Sequence, residues 1–126
     1  MGALRRVAVA GIVLAAVCAS QGMEVFSTNS IWRFRRGTSE ASSPNSAWRL
    51  IGFNESGFTN APAPFWYGDT QVGGTELTDM QNQYYCIFLR KTFVVTNTAE
   101  VALLQLGAFV DDGFVAWING TEVART

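Results

Sequence analysis

The stretch Phe109-Val110-Asp111-Asp112-Gly113-Phe114-Val115-Ala116-Trp117-Ile118-Asn119-Gly120-Thr121-Glu122-Val123-Ala124-Arg125 decides the fold. It holds two turn signals with apolar residues between them. Asp111-Asp112-Gly113 reads as a turn, because Asp side chains bond nearby backbone N–H groups and Gly opens positive φ. Asn119-Gly120 is the strongest hairpin signal in the chain, since a type I′ turn needs φ > 0 at both central residues. Between the turns, Phe114, Ala116 and Ile118 share one parity and so one face of a strand. Val101 to Phe109 reads as the strand before, and Thr121 to Arg125 as the start of the returning one. Strands joined by such tight turns pair antiparallel.

Upstream, Tyr84 to Val95 is rich in aromatic and branched residues, with Ile87, Leu89 and Phe93 on one parity. That favours a strand. Cys86 falls inside this run and is expected to act as a small hydrophobe. Ile31-Trp32-Arg33-Phe34-Arg35 alternates apolar and basic, a period-2 signal. Ala47-Trp48-Arg49-Leu50-Ile51 is a second short strand candidate, and Gly52 to Gly57 a turn. Ala61-Pro62-Ala63-Pro64 excludes a helix interior or a central strand, because proline lacks the N–H and restricts its predecessor. Tyr67-Gly68-Asp69 and Gly73-Gly74 extend this loop region. Almost no α-helix is expected beyond the N-terminal segment.

The N-terminus predicts export. Met1 to Arg6 carries positive charge, Val7 to Ala19 is apolar, and Val17-Cys18-Ala19 places small residues at −3 and −1 of a cleavage site before Ser20. Residues 1–19 therefore read as a cleaved, helical secretory signal peptide, too short to span a bilayer. A lipid anchor on Cys18 is disfavoured by the branched Val17 before it. Cleavage leaves Cys86 as the single cysteine, so no disulfide is expected within the visible mature chain. The 126 residues of the chain suit one domain, placed at 24–126, and the 48% hydrophobic content supplies a core. The net charge of −1, with no basic stripe, gives no electrostatic drive toward nucleic acid. No membrane association is expected after signal cleavage. Thr126 falls just inside the returning strand, so the domain is expected to be incomplete at its C-terminus.

Together, Tyr85 to Phe93 and the 109–125 hairpin resemble the galactose-binding-like β-sandwich modules of secreted bacterial proteins. In these modules a "YFRKTF"-like stretch precedes a "DDG–VxxxNGxEVxR" hairpin. Trp32 with Phe34 resembles their opening strand, Trp48 through Phe58 their "W…FDDSxW" segment, and Ala63-Pro64-Phe65-Trp66-Tyr67-Gly68-Asp69 with Thr75 their "AP-GYGD" loop. Gly52 to Ser56 departs from the family's acidic run, and Phe58 stands where a Trp is usual. The resemblance implies an all-β, antiparallel, jelly-roll-like sandwich, located in the periplasm, at the cell surface or in the medium. It also implies a bacterial source, which would make the sequons Asn54-Glu55-Ser56 and Asn119-Gly120-Thr121 chance matches.

The chain has no histidine. That removes Ser-His-Asp and Cys-His catalysis and every His-based zinc site. No Gly-rich loop leads from a strand into a helix, so no phosphate cradle is expected. Asp111 and Asp112 are adjacent and read as turn caps rather than a glycosidase pair, which needs a fixed separation across the sugar bond. Asp111, Asp112 and Asn119 offer too few oxygens for calcium unless backbone carbonyls join them. No cofactor is expected. Sugar binding would need an exposed ring beside polar groups. Trp66, Tyr67 and Asp69 are the local candidates, against the alternative that both rings fold back into the core. Trp32 and Trp117 sit in strand patterns and are expected in the core. The expected function is a non-catalytic accessory module that binds carbohydrate or packs against downstream domains of the same chain. The alternatives are a spacer without a ligand and the leading domain of a secreted hydrolase with its active site beyond residue 126.

Overall fold

Alternation in Ile31–Arg36 sets the architecture. In this strand Trp32 and Phe34 are buried, while Arg33 and Arg35 point to the opposite face. The computed structural model describes the backbone of residues 8–18 and 21–126, and side chains from residue 24 onward. Its strands are β1 (Ala8–Cys18), β2 (Gln21–Phe26), β3 (Ile31–Arg36), β4 (Thr59–Pro62), β5 (Phe65–Trp66), β6 (Thr75–Glu76), β7 (Ile87–Arg90), β8 (Val101–Val110), β9 (Val115–Ile118) and β10 (Thr121–Arg125). Two single 3₁₀ turns, Ala47–Arg49 and Thr98–Glu100, are the helical elements among the described residues. The chain is thus all-β in its described part, as the sequence predicts, and its strand pairs are antiparallel except for β5 with β6.

One sheet has β3 at its centre, between β4 and β7. Pro62 closes the edge strand β4, opposite Ile31, where a missing N–H is tolerated. A second sheet is built on β1. That strand pairs β8 along one edge, and along the other it pairs β2 through residues 14–18 and β5 through residues 8–9. β9 and β10 form a separate hairpin. Its turn has Asn119 at φ 49° and Gly120 at φ 85°, the double positive φ that Asn-Gly predicts.

The main core draws on both larger sheets. Phe26, Trp32, Phe34, Ala61, Ala63, Phe65, Leu77, Met80 and Tyr84 form one buried cluster, with Ile87, Leu89 and Phe93 against it. Ile87 and Leu89 share that face of β7 as expected, whereas Phe93 joins the cluster from beyond the strand, which ends at Arg90. Phe34 stacks on Phe65 at 5.0 Å between ring centroids, and Phe26 meets Trp32 edge-on at 5.2 Å. Both geometries suit the ring quadrupole. Phe88, of opposite parity in β7, faces a second cluster with Ala41, Trp48, Phe58, Phe53 and Trp117. The β4-β3-β7 sheet is thus covered on both faces, by the main core on one side and by the 37–58 loop on the other.

Four expectations are corrected. The apolar N-terminal segment is not helical: residues 8–18 form an 11-residue strand. Its Val9, Ile12, Val13 and Val17 are β-branched and suit a strand. Pairing with β8 gives its backbone groups the partners that a helix would have supplied internally. The charged start, Met1 to Arg6, and the Ala19–Ser20 bond lie outside the described residues. Ala47–Arg49 is a 3₁₀ turn rather than a strand, with Trp48 as its buried anchor. Tyr84, Tyr85 and Cys86 precede β7, because the Met80–Tyr84 turn turns the chain first. Gly113 keeps a negative or extended φ, and its lack of a side chain instead admits the Thr126 carbonyl, 3.3 Å from where a Cβ would stand.

Candidate functional site

Of the sequence candidates, Trp66 ends β5, not a loop as expected, while Tyr67 and Asp69 lie in the connection from β5 to β6. Phe65 at the base of this loop is fully buried and fixes its exit. The loop is closed at its neck: Thr75 N–H donates to the Pro64 carbonyl (2.8 Å), Thr75 Oγ1 to the Pro62 carbonyl (2.6 Å), and Leu77 N–H to the Trp66 carbonyl (2.8 Å). Gly74 passes so near Pro64 that a Cβ there would stand 2.1 Å from the Pro64 oxygen.

The structure keeps the three candidates together at the end of β5 and engages their side chains within the protein. Trp66 is half-buried, and its only donor, Nε1, is spent on the Gly73 carbonyl at 3.1 Å. Tyr67 packs against the main core. Asp69 accepts from Thr70 N–H at 2.7 Å and from Gln71 Nε2 at 3.2 Å. Trp66 stays partly open to solvent, and Asp69 and Gln71 further along the loop are exposed.

A second polar assembly escaped the sequence reading. Arg33 of β3 and Arg90 of β7 are cross-strand partners. Both close on Glu55, at 3.0 Å and 2.8 Å respectively. Arg33 Nη2 also donates to the Glu55 carbonyl (2.6 Å), and Arg90 Nη1 to the carbonyls of Trp48 and Leu50. Arg35 reaches the Gly57 and Glu40 carbonyls and the Ser39 hydroxyl. The basic half of the period-2 pattern in β3 therefore fastens the 37–58 loop. The alternation gave these arginines a common face, but nothing local in sequence tied them to Glu55.

Beside this assembly, Trp48 meets Phe88 at 5.1 Å and Trp117 at 5.5 Å, both edge-on. Arg49 lies over the Trp117 ring at 4.1 Å, a cation–π contact. Trp117 thereby docks the β9–β10 hairpin onto the loop. It is half-buried rather than fully in the core.

The other candidates are accounted for individually. Tyr84 is buried and donates its hydroxyl to Asp79 (2.8 Å), which also takes Arg36 Nε at 2.6 Å. Burial, helped by the Asp79 carboxylate, pushes the Tyr84 hydroxyl up to about 12. The Tyr84 hydrogen bond, with Arg36 behind it, holds Asp79 below the usual carboxylate range. Cys86 is an exposed residue outside the strand where it was expected, yet its Sγ lies against Gly37. That burial, with Glu40 nearby, raises the thiol and makes it a poor nucleophile at neutral pH. Asp111 and Asp112 are exposed, and no three His, Cys, Asp or Glu residues gather to hold a metal among the described residues. No helix of the described residues is long and apolar enough to cross a membrane.

Several large apolar residues stay exposed, among them Tyr85 (82%), Phe109 (72%) and Leu103 (57%). Comparison with family models, with curated proteins and with solved structures finds no match to this chain.

Proposed function

We propose that the chain is a non-catalytic module of an exported protein that works by packing against a neighbouring domain. The fold proposed for it is the jelly-roll-like sandwich implied by its resemblance to galactose-binding-like modules, with residues 1–19 acting as the cleaved leader. The observation that carries the packing role is the inward use of the best ligand candidates. Trp66 Nε1 binds Gly73, Tyr67 packs on the core, and Asp69 binds its own loop. Apolar surface is exposed elsewhere, on β8 at Leu103, Leu104 and Phe109. Exposed apolar patches mark interaction surfaces.

A carbohydrate-binding reading is favoured by one feature, a partly open Trp66 followed by the exposed Asp69 and Gln71. A glycan array and polysaccharide pulldown with the full chain, alongside Trp66→Ala, separates the two readings. The packing reading expects no glycan signal from either protein. Binding by the parent that Trp66→Ala abolishes, with the fold retained, would replace it with a sugar site in this loop.

A further inference from the structure

We propose that Arg49, seated over the Trp117 ring, receives an aspartate or glutamate side chain of the neighbouring domain. This rests on the packing reading above and gives the partner its chemistry.

Arg49 differs from every other arginine among the described residues. Arg33 and Arg90 share Glu55, Arg36 takes Asp79, and Arg125 takes Glu122. Arg35 is spread over the Gly57 and Glu40 carbonyls and the Ser39 hydroxyl. Arg49 has neither an ion pair nor a hydrogen bond among these residues. It touches rings instead, its guanidinium carbon 4.1 Å from the Trp117 centroid and 5.8 Å from that of Trp48. Its Nε is closed off from solvent without an acceptor. A charged donor left unmet in such a place is costly. The two terminal nitrogens are therefore the fork that a partner must use.

Glu122 does not fill this place. It stands opposite Trp117 in the β9–β10 ladder. The hydrogen bond from Arg125 holds its carboxyl below the usual range, with the charges of Arg125 and Arg49 behind it. Both Glu122 oxygens are already taken by Arg125, at 2.8 and 2.9 Å.

The fork suits a planar acceptor, and a carboxylate matches it with two parallel bonds. A phosphate group would bring nearly two negative charges close to Glu122, where a carboxylate brings one. The surroundings point to a protein as its source. Leu50, next to Arg49 in the chain, is 51% exposed. It lies against the hairpin turn, its Cδ2 2.7 Å from where a Cβ on Gly120 would stand. Two elements thus meet through Arg49, Leu50 and Trp117. Arg and Trp are the side chains that most often anchor protein–protein contacts, and apolar neighbours keep water from the charge pair.

The test titrates the isotope-labelled full chain with the capped tripeptide acetyl-Leu-Glu-Leu-amide and follows it by NMR. Saturable shifts are expected at the Trp117 indole N–H and the Arg49 side-chain N–H, with the Trp66 indole unmoved. The peptide with Gln in place of Glu should bind about tenfold more weakly, because it loses the charge-assisted pair. Arg49→Lys keeps the charge and loses the fork, so it should weaken the Glu peptide about fivefold while the hairpin amide signals stay in place. No saturable shift, or equal binding of the two peptides, would overturn the proposal and leave the packing reading standing. Stronger shifts with inorganic phosphate or with galacturonate would overturn it in favour of a different anion. A dimer that Arg49→Lys dissolves would place the carboxylate on a second copy and overturn it likewise. Glycan-induced shifts at the Trp66 indole would instead sink the packing reading, so the two failures are read at different rings.

Discussion

Arg33 and Arg90 stand directly opposite each other in β3 and β7 and share one carboxylate, Glu55. Like charges facing each other across two strands are destabilising by themselves. Glu55 reverses that sign, because each of its oxygens takes one guanidinium. The three side chains are between 13% and 30% exposed, so water screens the contacts only in part. Removing the anion leaves two half-buried cations facing each other. Glu55→Gln should therefore lower stability by about 2 kcal/mol, read as a lower urea midpoint with an unchanged slope. A loss under about 0.5 kcal/mol would show that the shared carboxylate adds nothing to stability.

Trp117 should govern attachment of the β9–β10 hairpin. Its ring bridges Trp48 and Arg49. Trp117→Ala is expected to cost about 2–3 kcal/mol, below the usual range for a fully buried Trp because the residue is half-buried. Amide exchange at residues 115–125 should accelerate, while exchange at β3 stays slow. Equal acceleration at β3 would place Trp117 in the main core instead.

Tyr84 should make the protein sensitive to alkali. Its folded pKa of about 12 lies above the ordinary value of 10.0, so the fold prefers the protonated hydroxyl. The resulting stability is fully present below pH 10 and is lost as pH rises from 10 to 12. The loss amounts to about 2–3 kcal/mol. Asp79 works in the opposite sense: its lowered pKa contributes stability above the ordinary value of 3.8, which is lost on acidification. Tyr84→Phe should flatten the alkaline limb of stability against pH. An unchanged limb in that variant would assign the alkaline loss to other groups.

Gly74 should resist substitution. It sits at φ 77°, where an L side chain is strained, and a Cβ would stand 2.1 Å from the Pro64 oxygen. Gly74→Ala should cost more than about 2 kcal/mol and shift the fluorescence of Trp66 by breaking its bond to Gly73. A mild effect with unaltered emission would mean that the loop neck yields easily.

The legible parts of the fold were those written locally. Alternation marked β3, apolar runs marked β8 and β9, and Asn119-Gly120 marked the hairpin turn and its positive φ values. Trp48 was misread because five residues of mixed apolar character suit a short strand as well as a 3₁₀ turn. Its burial against Phe88 and Trp117 is tertiary and decides the outcome. The helix expected of the N-terminal segment gives way for a related reason: an apolar β-branched run takes its conformation from the partners on offer, and β8 offers a ladder. Trp66, Tyr67 and Asp69 are neighbours in sequence, with Trp66 on β5 and the other two in the connection after it. Their inward hydrogen bonds depend on Gly73 and Gln71, whose positions follow from the closed neck and not from any motif.

The arginines of β3 and β7 have a consequence for how this surface tolerates change. Apart from the Glu55 carboxylate, the Ser39 hydroxyl and the Phe53 ring, which lies under Arg90, their partners on the 37–58 loop are the carbonyls of Glu40, Trp48, Leu50, Glu55 and Gly57. Every amino acid carries such an oxygen, so the grip reads the path of the loop and not its lettering. Exposed positions such as Asn45 and Ile51 are free to be rewritten while the track beneath them holds. The loop is in that sense an interchangeable face on a fixed frame, the place where a new specificity can be inscribed without redesigning the fold.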